Sequence, residues 1–381
     1  MFGKRLLKLF GDVLRLLYAM KTICTKLHAI TALGRVCASV HMKGRRFSCR
    51  AIILLVAVLA LYHGGCATTP PRKGDKPAAA LPSTTEAPSF DRVRFEHDTS
   101  PIGDVVRLFG REIGGGLVLM SGLEERSMPA ISMRDIPYQE AVARFAASID
   151  CVYLHTPYYF MILPSGYEVL QDIDLSGDLP EAHRVMAASV TLGAKTELYN
   201  AFAALSKSAG VTLVADNFIA ETRTGEMFLP DAPFHVALEA IMQSARIAPG
   251  TFVVESTPEY IFIRAVQNTG PTERLLNEAS LTSEQRALLS RTVSVVLPEE
   301  QAVSHAAFTA QPASLHNMLL PLSNQLGIEV VAQRRLADIP INPCVIQDVR
   351  LETALNLLLR QWPLPDFGFE IQENRILIRE R

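Results

Sequence analysis

Three glycines, Gly114, Gly210 and Gly327, each close the same pattern of apolar residues, and this recurrence limits what the chain can fold into more than any other feature. At twelve, nine, eight, five and one residues before the glycine stand Ile102, Val105, Val106, Phe109 and Ile113; then Leu198, Ala201, Phe202, Leu205 and Ala209; then Leu315, Met318, Leu319, Leu322 and Leu326. That is helical spacing: one buried stripe, ended by a glycine able to take left-handed backbone. A short strand follows each glycine, at Leu117 to Met120, Val211 to Val214 and Ile328 to Val331, with Gly115 and Gly116 inserted in the first copy. Asp135, Asp231 and Asp348 each lie 21 residues after their glycine. Each leads a second helix with a shared skeleton: Tyr138, Ala141, Val142 and Phe145; Phe234, Ala237, Leu238 and Ile241; Leu351, Ala354, Leu355 and Leu358. The Asp oxygens are expected to accept from unpaired amides at the helix entrance, where Pro137 and Pro233 also fit a first turn.

Each copy is expected to finish in a hairpin: Val152 to Leu154 with Tyr159 to Leu163, Phe252 to Glu255 with Tyr260 to Arg264, and Phe367 to Ile371 with Arg375 to Arg379. A strand is expected before each first helix, around Val93 to Glu96, Ser189 to Leu192 and Ala307 to Ala310. The fold class is therefore α+β: three tandem small βαβ(β)αββ domains, each a small mixed sheet with two helices packed on one face. Their expected bounds are 91–170, 184–267 and 304–381, with a structured spacer at 268–303 that supplies an extra strand to the third unit. With phrases such as FTAQPASLHNMLLPLSNQLGIEVV and DVRLETALNLLL, this order of elements resembles the short N-terminal domain shared by secretins and TonB-dependent transducers. The resemblance covers about three quarters of the residues after position 65 and rests on apolar positions, not reactive ones. It implies a periplasmic docking module that contacts an envelope protein of secretin, TonB or transducer type and is able to form oligomers. The third copy ends at Arg381, where neither a channel-forming domain nor a receptor barrel follows, so this chain is not expected to be a pore.

Ahead of the repeats, AIILLVAVLALY at 51–62 follows a basic stretch and precedes His63, Gly64, Gly65 and Cys66, a signal-peptide layout. Twelve residues rise about 18 Å as a helix, short of the ~30 Å hydrocarbon core, so cleavage is expected over a permanent span. The segment 42–65 resembles a lipoprotein signal, which would make Cys66 the lipidated N-terminus of an envelope protein, in the outer membrane facing the periplasm; His63 departs from the usual aliphatic residue. Residues 1–41 read as an extension ahead of a start at Met42, and 66–90, rich in Pro, Thr and Ala, as a flexible tether. Up to residue 65 the chain carries 11 Lys plus Arg and one acid, Asp12, so an overall formal charge of −2 leaves the exported body strongly acidic. An acidic body argues against nucleic acid as a partner. Cys151 and Cys344 occupy unequal repeat positions and are expected to be small buried side chains.

No catalytic motif stands out. Gly114, Gly115 and Gly116 end a helix where a phosphate loop would open one, and His97, His155, His235, His305 and His316 lack metal-ligand spacing. No catalytic residue, cofactor or metal is expected; what remains is surface. Free strand edges offer one route to a partner. The aromatic crowd on the first hairpin, with Tyr153, Tyr158 and Tyr159 as partner-binding candidates, offers another, and also admits cell-wall polysaccharide as the ligand.

Overall fold

The computed structural model describes residues 92–167, 173–297, 310–364 and 366–380, all within the compact unit that spans Thr85–Arg381. The expected extension, leader, Cys66 anchor and tether lie outside the described residues, as does most of the strand expected at Ala307 to Ala310.

From the N-terminal side run β1 (Arg92–His97), β2 (Ser100–Pro101), α1 (Ile102–Ile113), β3 (Gly116–Leu119), β4 (Ser127–Met128), β5 (Ile131–Pro137), α2 (Tyr138–Ser148), β6 (Cys151–His155) and β7 (Tyr159–Pro164). A second stretch holds α3 (Glu181–Arg184), β8 (Ala187–Leu192), α4 (Leu198–Ala209), β9 (Thr212–Ala215), α5 (Asn217–Ala220), β10 (Met227–Pro233), α6 (Phe234–Ser244), β11 (Phe252–Ser256) and β12 (Tyr260–Ala265). The last holds α7 (Ser283–Leu289), β13 (Thr292–Leu297), β14 (Ala313–Ser314), α8 (Leu315–Leu326), β15 (Glu329–Ala332), β16 (Pro340–Ile341), β17 (Cys344–Arg350), α9 (Leu351–Arg360), β18 (Phe367–Ile371) and β19 (Arg375–Glu380). The architecture is mixed α+β, helices against several small sheets.

Pairing follows one scheme in all three stretches. The first strand runs antiparallel to the strand that leads into the second helix, β1 with β5, β8 with β10 and β13 with β17, and each pair slips register once. The strand after the first helix runs parallel to the second arm of the hairpin, β3 with β7, β9 with β12 and β15 with β19. The helix stops are those the glycines foretell: Gly114, Gly210 and Gly327 sit at φ 64°, 71° and 70°.

The repeated aspartates have another role than capping. Asp135, Asp231 and Asp348 lie at φ 54°, 48° and 50°, at the bulges of β5, β10 and β17, and the residues that open the second helices, Pro137, Pro233 and Arg350, receive no side-chain cap. Asp is among the few side chains that tolerate left-handed backbone, which explains its return at a fixed distance. A second correction concerns the third stretch. The strand that pairs with β17 is β13 at Thr292–Leu297, inside the expected spacer, so that segment supplies the opening strand itself.

The apolar interior forms two cores. One runs through the first two stretches without a break, because β10 pairs with both β8 and β3 and joins them in a five-stranded sheet, β6-β7-β3-β10-β8. The other belongs to the third stretch and draws in Val214 and Phe262 from the second. Cys151 and Cys344 are free and buried, as expected; burial pushes both thiols up, that of Cys344 to about 12. No helix among the described residues is long and apolar enough to cross a membrane.

Candidate docking surfaces

Two joints and one uncovered face carry most of the polar chemistry. Seven residues after the cap glycine, the Ser121 N–H donates to Ser244 O at 2.9 Å, thirteen residues beyond Asp231. At the corresponding place one stretch later, the Asn217 N–H donates to Gln361 O at 3.0 Å, thirteen residues beyond Asp348. The side chain one residue earlier on the second helix also reaches back each time. The Tyr159 hydroxyl donates to Gln243 Oε1 at 3.2 Å, and Arg360 pairs with Glu255 while its guanidinium lies 4.2 Å from the centre of the Phe262 ring. The two joints therefore place the end of the second helix alike.

Their chemistry differs. At the first joint Phe228 lies where a Cβ on Gly110 would come within 2.8 Å of its ring, which is why α1 needs glycine there, and Arg111 sits 5.9 Å over the same ring. The Leu119 N–H donates to Glu226 O at 2.8 Å, and the Ser244 hydroxyl donates to Leu119 O at 2.6 Å. The Glu226 carboxyl packs against Gly103; burial pushes it up to about 7, with Arg107 opposing and Asp104 adding to the rise.

At the second joint side chains do the joining. The Thr212 hydroxyl donates to Gln347 O and accepts from the Gln347 N–H at 2.7 Å, and Gln347 Nε2 donates to Ser206 O. Asn342 Nδ2 donates to Asn217 Oδ1 at 2.8 Å. Burial pushes the Glu255 carboxyl up, but Arg360 and Arg264 more than reverse this and leave it below its ordinary value. Beside them Arg350 pairs with Glu259 at 2.9 Å and the Thr353 hydroxyl donates to the same carboxylate. These residues border a cleft of about 780 Å³, rimmed further by Glu273, Glu278 and Glu352; burial and the two neighbouring carboxylates push Glu352 up. Among the described residues no three His, Cys, Asp or Glu are placed to hold a metal ion.

Buried polar groups elsewhere act as braces. Asp216, fully buried, caps α5 by accepting from the Ile219 N–H and also accepts from the Ala265 N–H and Asn268 Nδ2; burial raises its pKa against these bonds. Arg274, 1% exposed, donates to the carbonyls of Leu364, Phe367 and Trp362 and pins the preceding segment to the third stretch.

Of the three tyrosines singled out in the sequence, Tyr153 and Tyr158 are exposed, whereas Tyr159 is 5% exposed and turned into the first joint, so it is not part of an open contact patch. Cys66, the expected lipidation site, lies outside the described residues. Gln243, Arg360, Glu255 and Glu259 were not singled out by sequence reasoning. The available signal was a polar residue twelve places after a repeated aspartate, on a helix otherwise apolar around it.

No family model matches the sequence, and no curated protein matches it. Among solved structures, the complex of FpvAI with pyocin S2 is similar at 14% identity over 22% of this chain and 11% of that one, with a TM-score of 0.19. The ferripyoverdine receptor of the outer membrane of Pseudomonas aeruginosa, bound to ferripyoverdine, is similar at 10% identity over 47% and 28%, with a TM-score of 0.18. The chain thus spans less than a third of each of these proteins. Likeness at this level carries no argument.

Proposed function

We propose that the chain is a non-enzymatic docking scaffold of the cell envelope: three tandem domains of one βα type, anchored through Cys66 and facing the periplasm, which hold an envelope protein of secretin, TonB or transducer type. The observation that carries this reading is the recurrence of one joint. The same backbone hydrogen bond, and a side chain reaching from the same position, link first stretch to second and second to third, so the surfaces of these units are already built to bind units of their own kind. The sequence resemblance to the short domains of secretins and transducers adds the class of partner. Photo-crosslinking in intact cells, with the crosslinker placed in turn at Tyr153, Tyr158 and Leu320, tests it. Discrete adducts with an envelope protein are expected, and none from any position would overturn the reading. The second reading, binding of cell-wall polysaccharide, draws on the exposed rings of Tyr153 and Tyr158. Co-sedimentation with purified cell wall that is lost in Tyr158→Ala would favour it.

A further inference from the structure

The third stretch repeats the face that the first two use to hold their successor, and nothing among the described residues covers it. All four residues of β3 and all four of β9 are buried; in β15, Glu329 is exposed and Val331 and Ala332 are only half-buried. On the neighbouring strand, Met161 and Phe262 are 0% and 1% exposed where they pair with Val118 and Val214, but Leu377, paired with Val331, is half-buried. Seven residues before the cap glycine, Ala203 on α4 is fully buried and Leu320 on α8 is 44% exposed.

The difference is not a change of local structure. Ser206 and Ser323 each donate to the carbonyl, and accept from the N–H, of the residue seven places on. The ion pair on this face recurs too: Arg264 to Glu255 at 2.6 Å and Arg379 to Glu370 at 2.7 Å, nine residues apart each time. Glu255 gives its second oxygen to Arg360 of the next stretch; Glu370 gives its second oxygen to Gln372 of its own strand turn. The amides of Ser121 and Asn217 each donate to a carbonyl of the following stretch, whereas no described group accepts from the N–H of Arg334, their counterpart seven residues after Gly327. What differs is that no described residues stand where the successor stands in the first two stretches.

We propose that the outer side of β15 and β19, with Leu320, docks a strand-and-helix element of the β17–α9 kind carried by another envelope polypeptide. This rests on the scaffold reading and narrows it to one face and one class of partner. The element would lay its strand along β15, seat an apolar residue on Val331 and Leu377, offer a carbonyl to the Arg334 N–H, and bring a long polar side chain, arginine or glutamine, to Glu370. In a second copy of this chain the β10–α6 and β17–α9 elements are already held in that copy's own joints, and the one that remains does not meet these terms. Three residues before the bulge aspartate, where Phe228 makes the first joint, the first stretch has exposed Ser132; two residues on, Arg134 pairs with Glu96 at 2.5 Å, and the reaching position is Ala147. That side of the first stretch is exposed and polar.

The test places a photo-crosslinker at Leu320 of the full chain, in cells that make it, and maps the adduct by mass spectrometry. An adduct in a strand that leads into a helix of another envelope protein is expected, and Leu377→Glu should lower its yield at least tenfold while an adduct from Tyr158 is unchanged. Leu377 lies on the side of the sheet away from the third core, and intact hydrogen-exchange protection of Ile376 and Ile378 would show that the variant folds. An adduct within this chain itself, in any other kind of segment, or undiminished by Leu377→Glu would overturn the proposal. Adducts from Tyr158 with none from Leu320 would leave the scaffold reading standing and end this one.

Discussion

The two joints solve one geometric problem with opposite materials. The first merges two sheets into one, with half-buried Phe228 against a glycine, and its two stretches share a core. The second keeps its sheets apart and ties them with Thr212, Gln347, Asn217, Asn342 and the Arg360–Glu255 pair. Apolar area is indifferent to charge state, whereas a buried guanidinium–carboxylate pair depends on it. The repeat therefore conserves position while leaving each joint its own sensitivity to pH and salt.

The sharpest way to break the comparison is Arg360→Ala. It leaves the half-buried Glu255 with Arg264 alone and is expected to cost up to about 3 kcal/mol, all of it at the second joint. In denaturant the third stretch should then unfold ahead of the first two; a single shifted transition would mean that the joints are not separable. Because Glu255 is held below its ordinary pKa, its contribution is present above about pH 4 and fades as acid protonates it, so the same splitting should emerge on acidification. Phe228→Ala should strike the first joint instead, by about 2 kcal/mol given that the ring is half-buried, and leave the acid response of the third stretch unchanged. Glu226 reverses the sign. Its pKa is raised, so its contribution is fully present below the ordinary carboxylate range and is lost as pH rises through about 7. A stability loss on the order of 2 kcal/mol between pH 5 and 8 is expected from thermal scans, flattened in Glu226→Gln. The smallest effect tests the bulges. Asp231→Gly should change stability by under about 0.5 kcal/mol, whereas Asp231→Thr, harmless at a helix cap, should cost about 1 kcal/mol in left-handed backbone.

What was legible in the sequence follows the range of the interactions. A glycine-ended apolar stripe is a local matter, and all three first helices stop at their glycines. The aspartates were legible as a recurrence but not as a conformation, since a cap and a left-handed bulge both favour Asp next to a helix start. The opening strand of the third stretch was misplaced because spacing from the glycine pointed to 307–310, while the pairing that selects β13 spans some fifty residues and leaves no local mark. Gln243 and Arg360 read as ordinary polar positions on their helices; only the neighbouring stretch makes them joints. Tyr159 failed for the same reason, an aromatic residue on a hairpin whose cover comes from more than eighty residues downstream.

The segment held by Arg274 has a consequence for stoichiometry. Backbone bonds from Phe369 to Arg274 and from Leu276 to Phe369, joined by those of Asn277 to Ile371, seal the far margin of the last sheet. Growth there is blocked on that margin, so the sheet can lengthen only past β15. A sheet with one blocked margin takes a single guest at this end, so on the proposed scaffold reading each molecule should recruit one such guest there and never seed a fibre.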